Sequence, residues 1–214
     1  MKKTRLTGIH PFQLTDHFGV DAYRYYFLRE VQFGQDGSFS WESMAARYNA
    51  ELANGLGNLA SRILAMAGSY FEGRVPEPSD RTRGGRLQKA AALLAERFAA
   101  AMDAFELTGA VTALAEFVRE ANRYLVEAAP WALAKDEGRR QDLADSLYAG
   151  LEALRLIAVF GSPVMPQASD RLWEQLGIEE SLADQRLPKA SAWGGLEPGT
   201  RTSKGEALFP RLED

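Results

Sequence analysis

The sequence contains no cysteine, and its only imidazoles are His10 and His17. Without thiols there are no disulfides, no thiolate metal sites and no cysteine nucleophile. Neither histidine has a second one at helical spacing, so no metal site is expected. Positive charge is also scarce. The chain carries 25 Lys and Arg against 29 Asp and Glu, a net charge of −4. A broad nonspecific grip on nucleic acid rests on many Lys/Arg–phosphate contacts, and this balance argues against it. It leaves room for recognition of a few unpaired bases, where stacking and edge hydrogen bonds discriminate. Long apolar runs are missing too. Leu154–Phe160 is among the longest and is interrupted by Arg155, so no membrane span is expected. Met1–Arg5 is basic, but Leu6–Pro11 is no signal-peptide core, and a cytoplasmic location is the expectation. No Ser/His/Asp set, paired-carboxylate site or phosphate-cradling glycine loop stands out, and Gly84-Gly85 reads as a turn.

What is present is helical. The 46% hydrophobic content suffices to bury a core across 214 residues. After a loop-like start with a short helical piece near Phe12–Phe18, residues Val20–Val31 show helical periodicity. Phe33–Gly37 reads as a turn whose glycines allow positive φ, followed by an extended Ser38–Ser40. A long helix is predicted from Trp41 to Tyr70, capped by Ser40. Its apolar stripe runs through Ala45, Tyr48, Leu52, Leu56, Leu59, Ile63, Met66 and Tyr70. Gly55 and Gly57 each weaken such a helix by about 1 kcal/mol relative to Ala, which points to close packing or a bend. Gly73–Gly85 reads as a linker. Further helices are predicted over Arg86–Phe105, from a Thr108 cap to Ala128 with a break at Pro130, over Gln141–Phe160, and over Pro163–Leu176 closed by Gly177. The remainder is punctuated by proline and glycine, an extended or hairpin-like wrap. The pattern predicts an all-α helical bundle.

Several stretches are more specific than this pattern. They are His10–Leu14, Phe18–Glu30, Phe33–Ser40, Asn49–Arg62 with its Asn-Leu-Ala-Ser-Arg, Asn122-Arg123-Tyr124, and Ala129–Lys135 with its Ala-Pro-Trp. In this order they resemble methionyl-tRNA synthetases, and the likeness runs from Met1 to Leu208–Arg211. The resemblance implies three parts. Residues 1–39 correspond to the end of a Lys-Met-Ser-Lys-type loop and a small stem-contact segment. Residues 40–177 correspond to the α-helical anticodon-binding domain of a class I synthetase, and residues 178–214 to a tail that wraps back.

The resemblance also implies roles. In the family, the residues matching Asn58, Arg62 and Trp131 read the CAU anticodon. Asn58 and Arg62 stand four apart, so their side chains share a helix face. An amide offers a donor and an acceptor, and a guanidinium offers a planar fork of donors. Trp131 follows a helix-breaking proline, where an indole is presented for stacking on an unpaired base. The bland alternatives are an intrahelical Asn/Arg pair on a solvated face and a tryptophan that plugs the core. Lys3 matches the loop lysine that stabilises charge on ATP phosphates during adenylate formation, but Lys2 replaces the family's serine and the preceding lysine is absent. Arg123, Lys135, Arg139 and Arg140 flank Trp131 in sequence, and Arg81, Arg83, Arg86 and Lys89 form a second basic group; solvated faces are the simpler account of both. Asp21, Arg24 and Arg29 are expected to hold the stem-contact helix against the bundle.

The implied partners are methionine tRNA and a catalytic half of the synthetase. The implied chemistry is methionine activation with ATP and Mg in the complete enzyme, with no cofactor held by this chain. Two other readings stay open: a free-standing tRNA-binding or regulatory paralogue, and a helical scaffold that has lost RNA binding.

Overall fold

The computed structural model describes residues 9–32, 34–80 and 85–212. Lys3, Phe33, Arg81 and Arg83 lie outside the described residues. Nine α-helices and one π-helix account for most of what is described. The N-terminal pair is α1 (Pro11–Phe18) and α2 (Val20–Glu30). At the start of α1 the His10 ring accepts from the Phe12 amide, and the Gln13 side chain accepts in return from the His10 amide. Next comes α3 (Trp41–Arg47), capped by Ser40, whose hydroxyl accepts from the Ser43 amide at 3.0 Å.

The predicted single helix over residues 41–70 is not continuous. A π-helix occupies Tyr48–Gly57 and hands over to α4 (Asn58–Phe71). The apolar stripe hides this change, because steps of four from Met44 through Tyr48, Leu52 and Leu56 bury one face in either geometry. The π-helix also uses the two glycines. A Cβ on Gly57 would lie 3.3 Å from the Phe209 carbonyl oxygen of the C-terminal tail, a tight contact that glycine avoids. The Gly55 carbonyl accepts from the Asn122 side-chain amide at 3.2 Å.

The bundle continues with α5 (Arg86–Asp103), α6 (Leu107–Ala128), the short α7 (Pro130–Leu133), α8 (Arg140–Gly161) and α9 (Pro166–Leu176). Helix α8 is the central element, with nearly every residue from Leu143 to Gly161 buried. Two predicted starts move. Helix α6 begins at Leu107, and Thr108 does not cap it; its hydroxyl instead donates to the Val31 carbonyl at the end of α2. Helix α9 begins at Pro166 rather than Pro163. Its first turn accepts the Asp21 carboxylate, which takes a 2.6 Å hydrogen bond from the Ala168 amide. Arg24 donates to the Val164 and Pro163 carbonyls at 3.0 and 2.8 Å. Tyr25 donates to Glu51, which also faces Arg47 and Arg29. Asp21 and Arg24 thus tie α2 to the start of α9, and Tyr25, with Arg29 at 3.6 Å, ties it to Glu51 of the π-helix.

The segment after α4 is no free linker. Arg74 pairs with Arg201 in an isolated antiparallel bridge, and the Val75 amide donates to the Thr200 carbonyl. The tail is an extended wrap with short 3₁₀ turns at Leu182–Asp184 and Lys189–Ser191, not a hairpin. It is fastened by a buried ion pair. Glu152 and Arg155 meet at 2.7 Å; Glu152 accepts from the Gly194, Gly195 and Leu196 amides, and Arg155 donates to the Ala190 and Ala192 carbonyls. Among the described residues no helix is long and apolar enough to cross a membrane.

Candidate nucleic-acid interface

Two elements bring the three residues singled out in the sequence to one region. Asn58 opens α4 and is exposed; Arg62 follows one turn later and is half-buried. Trp131 arrives from the other side. Helix α6 stops at Ala129, which sits in the left-handed region at φ 44° and ψ 58°. That conformation ends the helix and turns the chain, and the Ala129 carbonyl accepts from the Ala132 and Leu133 amides to start α7 at Pro130. Pro130 and Leu133 are buried, and Leu133 packs with Leu143 and Leu147 against Met66, Tyr70 and Phe71. This small cluster seats α7 between α4 and α8 and leaves Trp131 facing outward, 38% exposed.

The Arg62 guanidinium lies 5.3 Å from the centre of the Trp131 ring. A guanidinium at that range is held by the ring's quadrupole, which fixes both groups while their outer edges stay available. The structure thus joins Arg62 to Trp131 directly and sets Asn58 one turn away on the same helix. Trp131 is partly exposed rather than enclosed in the core, and the Arg62 guanidinium is turned to its ring.

The surrounding cations are mostly spoken for. Arg123 pairs with Glu120 at 2.6 Å and Arg139 with Asp142 at 2.7 Å. Arg86 pairs with Glu120 and Glu127. The hydrogen bond from Arg86 holds the Glu120 carboxyl below its ordinary range. Arg140 stacks over Phe71 at 4.1 Å and donates to the Tyr70 carbonyl, so it secures α8 to α4. Lys135 and Lys89 are exposed. Beside α7, a cleft of about 510 Å³ is lined by Tyr124, Glu127, Arg139, Asp142 and Asp145, a mostly acidic set of charges. Burial, and then Asp145, pushes the Tyr124 hydroxyl up in pKa.

Sequence reasoning missed the brace between the two halves. Asn122 on α6 donates to the Gly55 and Val118 carbonyls, tying the helix that leads to Trp131 to the π-helix that leads to Asn58. In the sequence Asn122 stands only as part of the Asn122-Arg123-Tyr124 motif and as a poor helix former inside a long helix, and neither reports this contact.

Fold and surface together define a helical anticodon-binding bundle of the class I aminoacyl-tRNA synthetases. Residues 75–214 match the family described as the anticodon binding domain of methionyl tRNA ligase, and residues 1–64 match the class I tRNA synthetases (M). The methionine–tRNA ligase of Streptomyces coelicolor is 48% identical over the whole chain, and that of Caldanaerobacter subterraneus 42%. The crystal structure of Mycobacterium tuberculosis methionyl-tRNA synthetase bound by methionyl-adenylate superposes with a TM-score of 0.87 at 36% identity over 98% of this chain. The chain belongs to the methionyl-tRNA synthetase family. It spans 41% of the Streptomyces protein, 33% of the Caldanaerobacter protein and 41% of the Mycobacterium chain.

Proposed function

We propose that this chain is the anticodon-reading part of a methionine–tRNA ligase, with Asn58, Arg62 and Trp131 contacting the CAU anticodon of methionine tRNA. The observation that carries this reading is the Arg62–Trp131 stack at 5.3 Å, built by two different elements at an exposed position. In this role Trp131 offers its face to an unpaired base, and Arg62 and Asn58 offer donors and an acceptor to base edges. Activation of methionine with ATP and Mg belongs to the catalytic half, and Lys3 is assigned to its loop on resemblance alone. The division into residues 1–39, 40–177 and 178–214 is kept as the working one, in a cytoplasmic protein.

Binding of the chain to initiator tRNA, compared with the same tRNA carrying a changed anticodon at fixed salt, tests the reading. A preference for CAU is expected; equal affinity for both sinks it. The chain alone is expected to give no methionine-dependent exchange of labelled pyrophosphate into ATP, and exchange would place catalysis inside it.

A further inference from the structure

The C-terminal tail ends on the π-helix. Tyr48 is the first residue of that helix, and its hydroxyl donates to the Pro210 carbonyl at 2.7 Å. Asn54 lies in its second half, and its side-chain oxygen accepts from Arg211 Nε at 2.9 Å. Gly57 is its last residue, and the Phe209 backbone runs against it so closely that an added Cβ would meet the carbonyl oxygen at 3.3 Å. The Phe209 ring is buried and meets Tyr48 edge-on, with ring centres 6.0 Å apart. Arg171 of α9 holds the preceding carbonyl, that of Leu208, at 2.9 Å. Three consecutive tail residues therefore hold the beginning, the second half and the end of one helical segment.

That segment sets the direction of the site. Residues of an α-helix step about 100° around the axis, and in the wider π-helix each step is smaller. Across the ten residues of the π-helix the difference rotates helix α4 about its axis by an angle on the order of a quarter-turn or more. Asn58 is the first residue of α4, and Arg62 is one turn beyond it. With an α-helical register over residues 48–57, the same two side chains would leave α4 on a different face. A π-helix of this length is uncommon and persists where its surroundings hold it. Glu51 and Gly55 within it are held by Tyr25, Arg47 and Asn122, and the tail meets its first and last residues.

Building on the anticodon reading above, we propose that Phe209, Pro210 and Arg211 are positioning residues for anticodon recognition, holding the π register that sets the face of α4 from which Asn58 and Arg62 emerge and brings Arg62 to Trp131. None of the three touches the tRNA in this scheme; they act through the π-helix.

The test uses the whole chain and two tRNAs, initiator tRNA with CAU and the same tRNA with a changed anticodon. Phe209→Ala removes the buried ring, and Tyr48→Phe removes only the hydroxyl that holds Pro210. The expected result is a fall in the preference for CAU, about threefold to tenfold for Phe209→Ala and less for Tyr48→Phe. Affinity for the changed anticodon stays as it was, and amide exchange over residues 48–57 quickens. If Phe209→Ala fails to fold, Tyr48→Phe decides alone. An unaltered preference in a folded variant overturns the inference. So does an equal loss for both tRNAs, the mark of a merely structural tail. Absence of any CAU preference in the unsubstituted chain is a different failure, because it removes the anticodon reading itself and this inference with it.

Discussion

Trp131 shows how much one residue's surroundings decide. Its type and its place after Pro130 made it a candidate, but the same letters describe a core plug. Its 38% exposure and the guanidinium over its face distinguish the two. Base–aromatic stacking contributes about 1–3 kcal/mol per base, so Trp131→Ala is expected to weaken binding of CAU-bearing tRNA by about tenfold or more. Its thermal midpoint should fall only slightly; a large drop in melting temperature alongside the binding loss would return the residue to a packing role. Arg62→Lys keeps the charge and loses the flat fork that lies on the ring. Lysine at this position is expected to reduce the preference for CAU, read by the same pair of tRNAs, while the fold is unchanged. Asn58, Arg62 and Trp131 stood out as candidates in the sequence through the motifs around them. The contact between Arg62 and Trp131 did not, because no local pattern reports a pairing across 69 positions.

Among the elements, helix α9 illustrates tertiary capping. Its N-terminus has no side-chain cap of its own, and the carboxylate of Asp21, far earlier in the chain, accepts from the Ala168 amide at 2.6 Å. Asp21→Ala should destabilise the protein by about 1–2 kcal/mol, seen in denaturant melts, and leave the ratio of affinities for the two anticodons unchanged. The α5–α6 hairpin is laced across its surface by Arg86, Glu120 and Glu127. Because Arg86 depresses the folded-state pKa of Glu120, this tie is present at neutral pH and is lost as pH falls through that lowered pKa. A Glu120→Gln variant should therefore lose less stability than the unsubstituted chain when melts are repeated from neutral to strongly acidic pH. Helix existence and type were readable for all of the long helices, since each carries an apolar stripe of helical period. The π-helix was not readable, because its buried positions recur at four, a step that an α-helix also takes. The contacts that the C-terminal tail and Asn122 make with this segment come from distant parts of the chain and are absent from any local window.

In the whole molecule, a buried ion pair fastens the tail to the central helix. Glu152 and Arg155 lie inside the central helix, and their remaining valences are filled by tail backbone, from the Ala190 carbonyl to the Leu196 amide. Removing one partner of such a pair leaves an unpaired buried charge, at a cost of about 3–5 kcal/mol. Glu152→Ala is expected to lower the melting point by several degrees and to open residues 190–196 to protease before the helical bundle gives way. Coincident loss of tail and bundle would mean that the two fold as a single unit.

Local sequence was enough for the all-helical class, the order of the elements, the family and the three candidate residues. These rest on periodicity, turn chemistry and ordered motifs, all carried by neighbours in the chain. Tertiary packing was needed to set the face on which Asn58 and Arg62 emerge, the outward presentation of Trp131, and the place where the tail is fastened. Those depend on contacts between segments far apart in sequence, where carbonyls, amides and ring faces find partners only after the helices have packed.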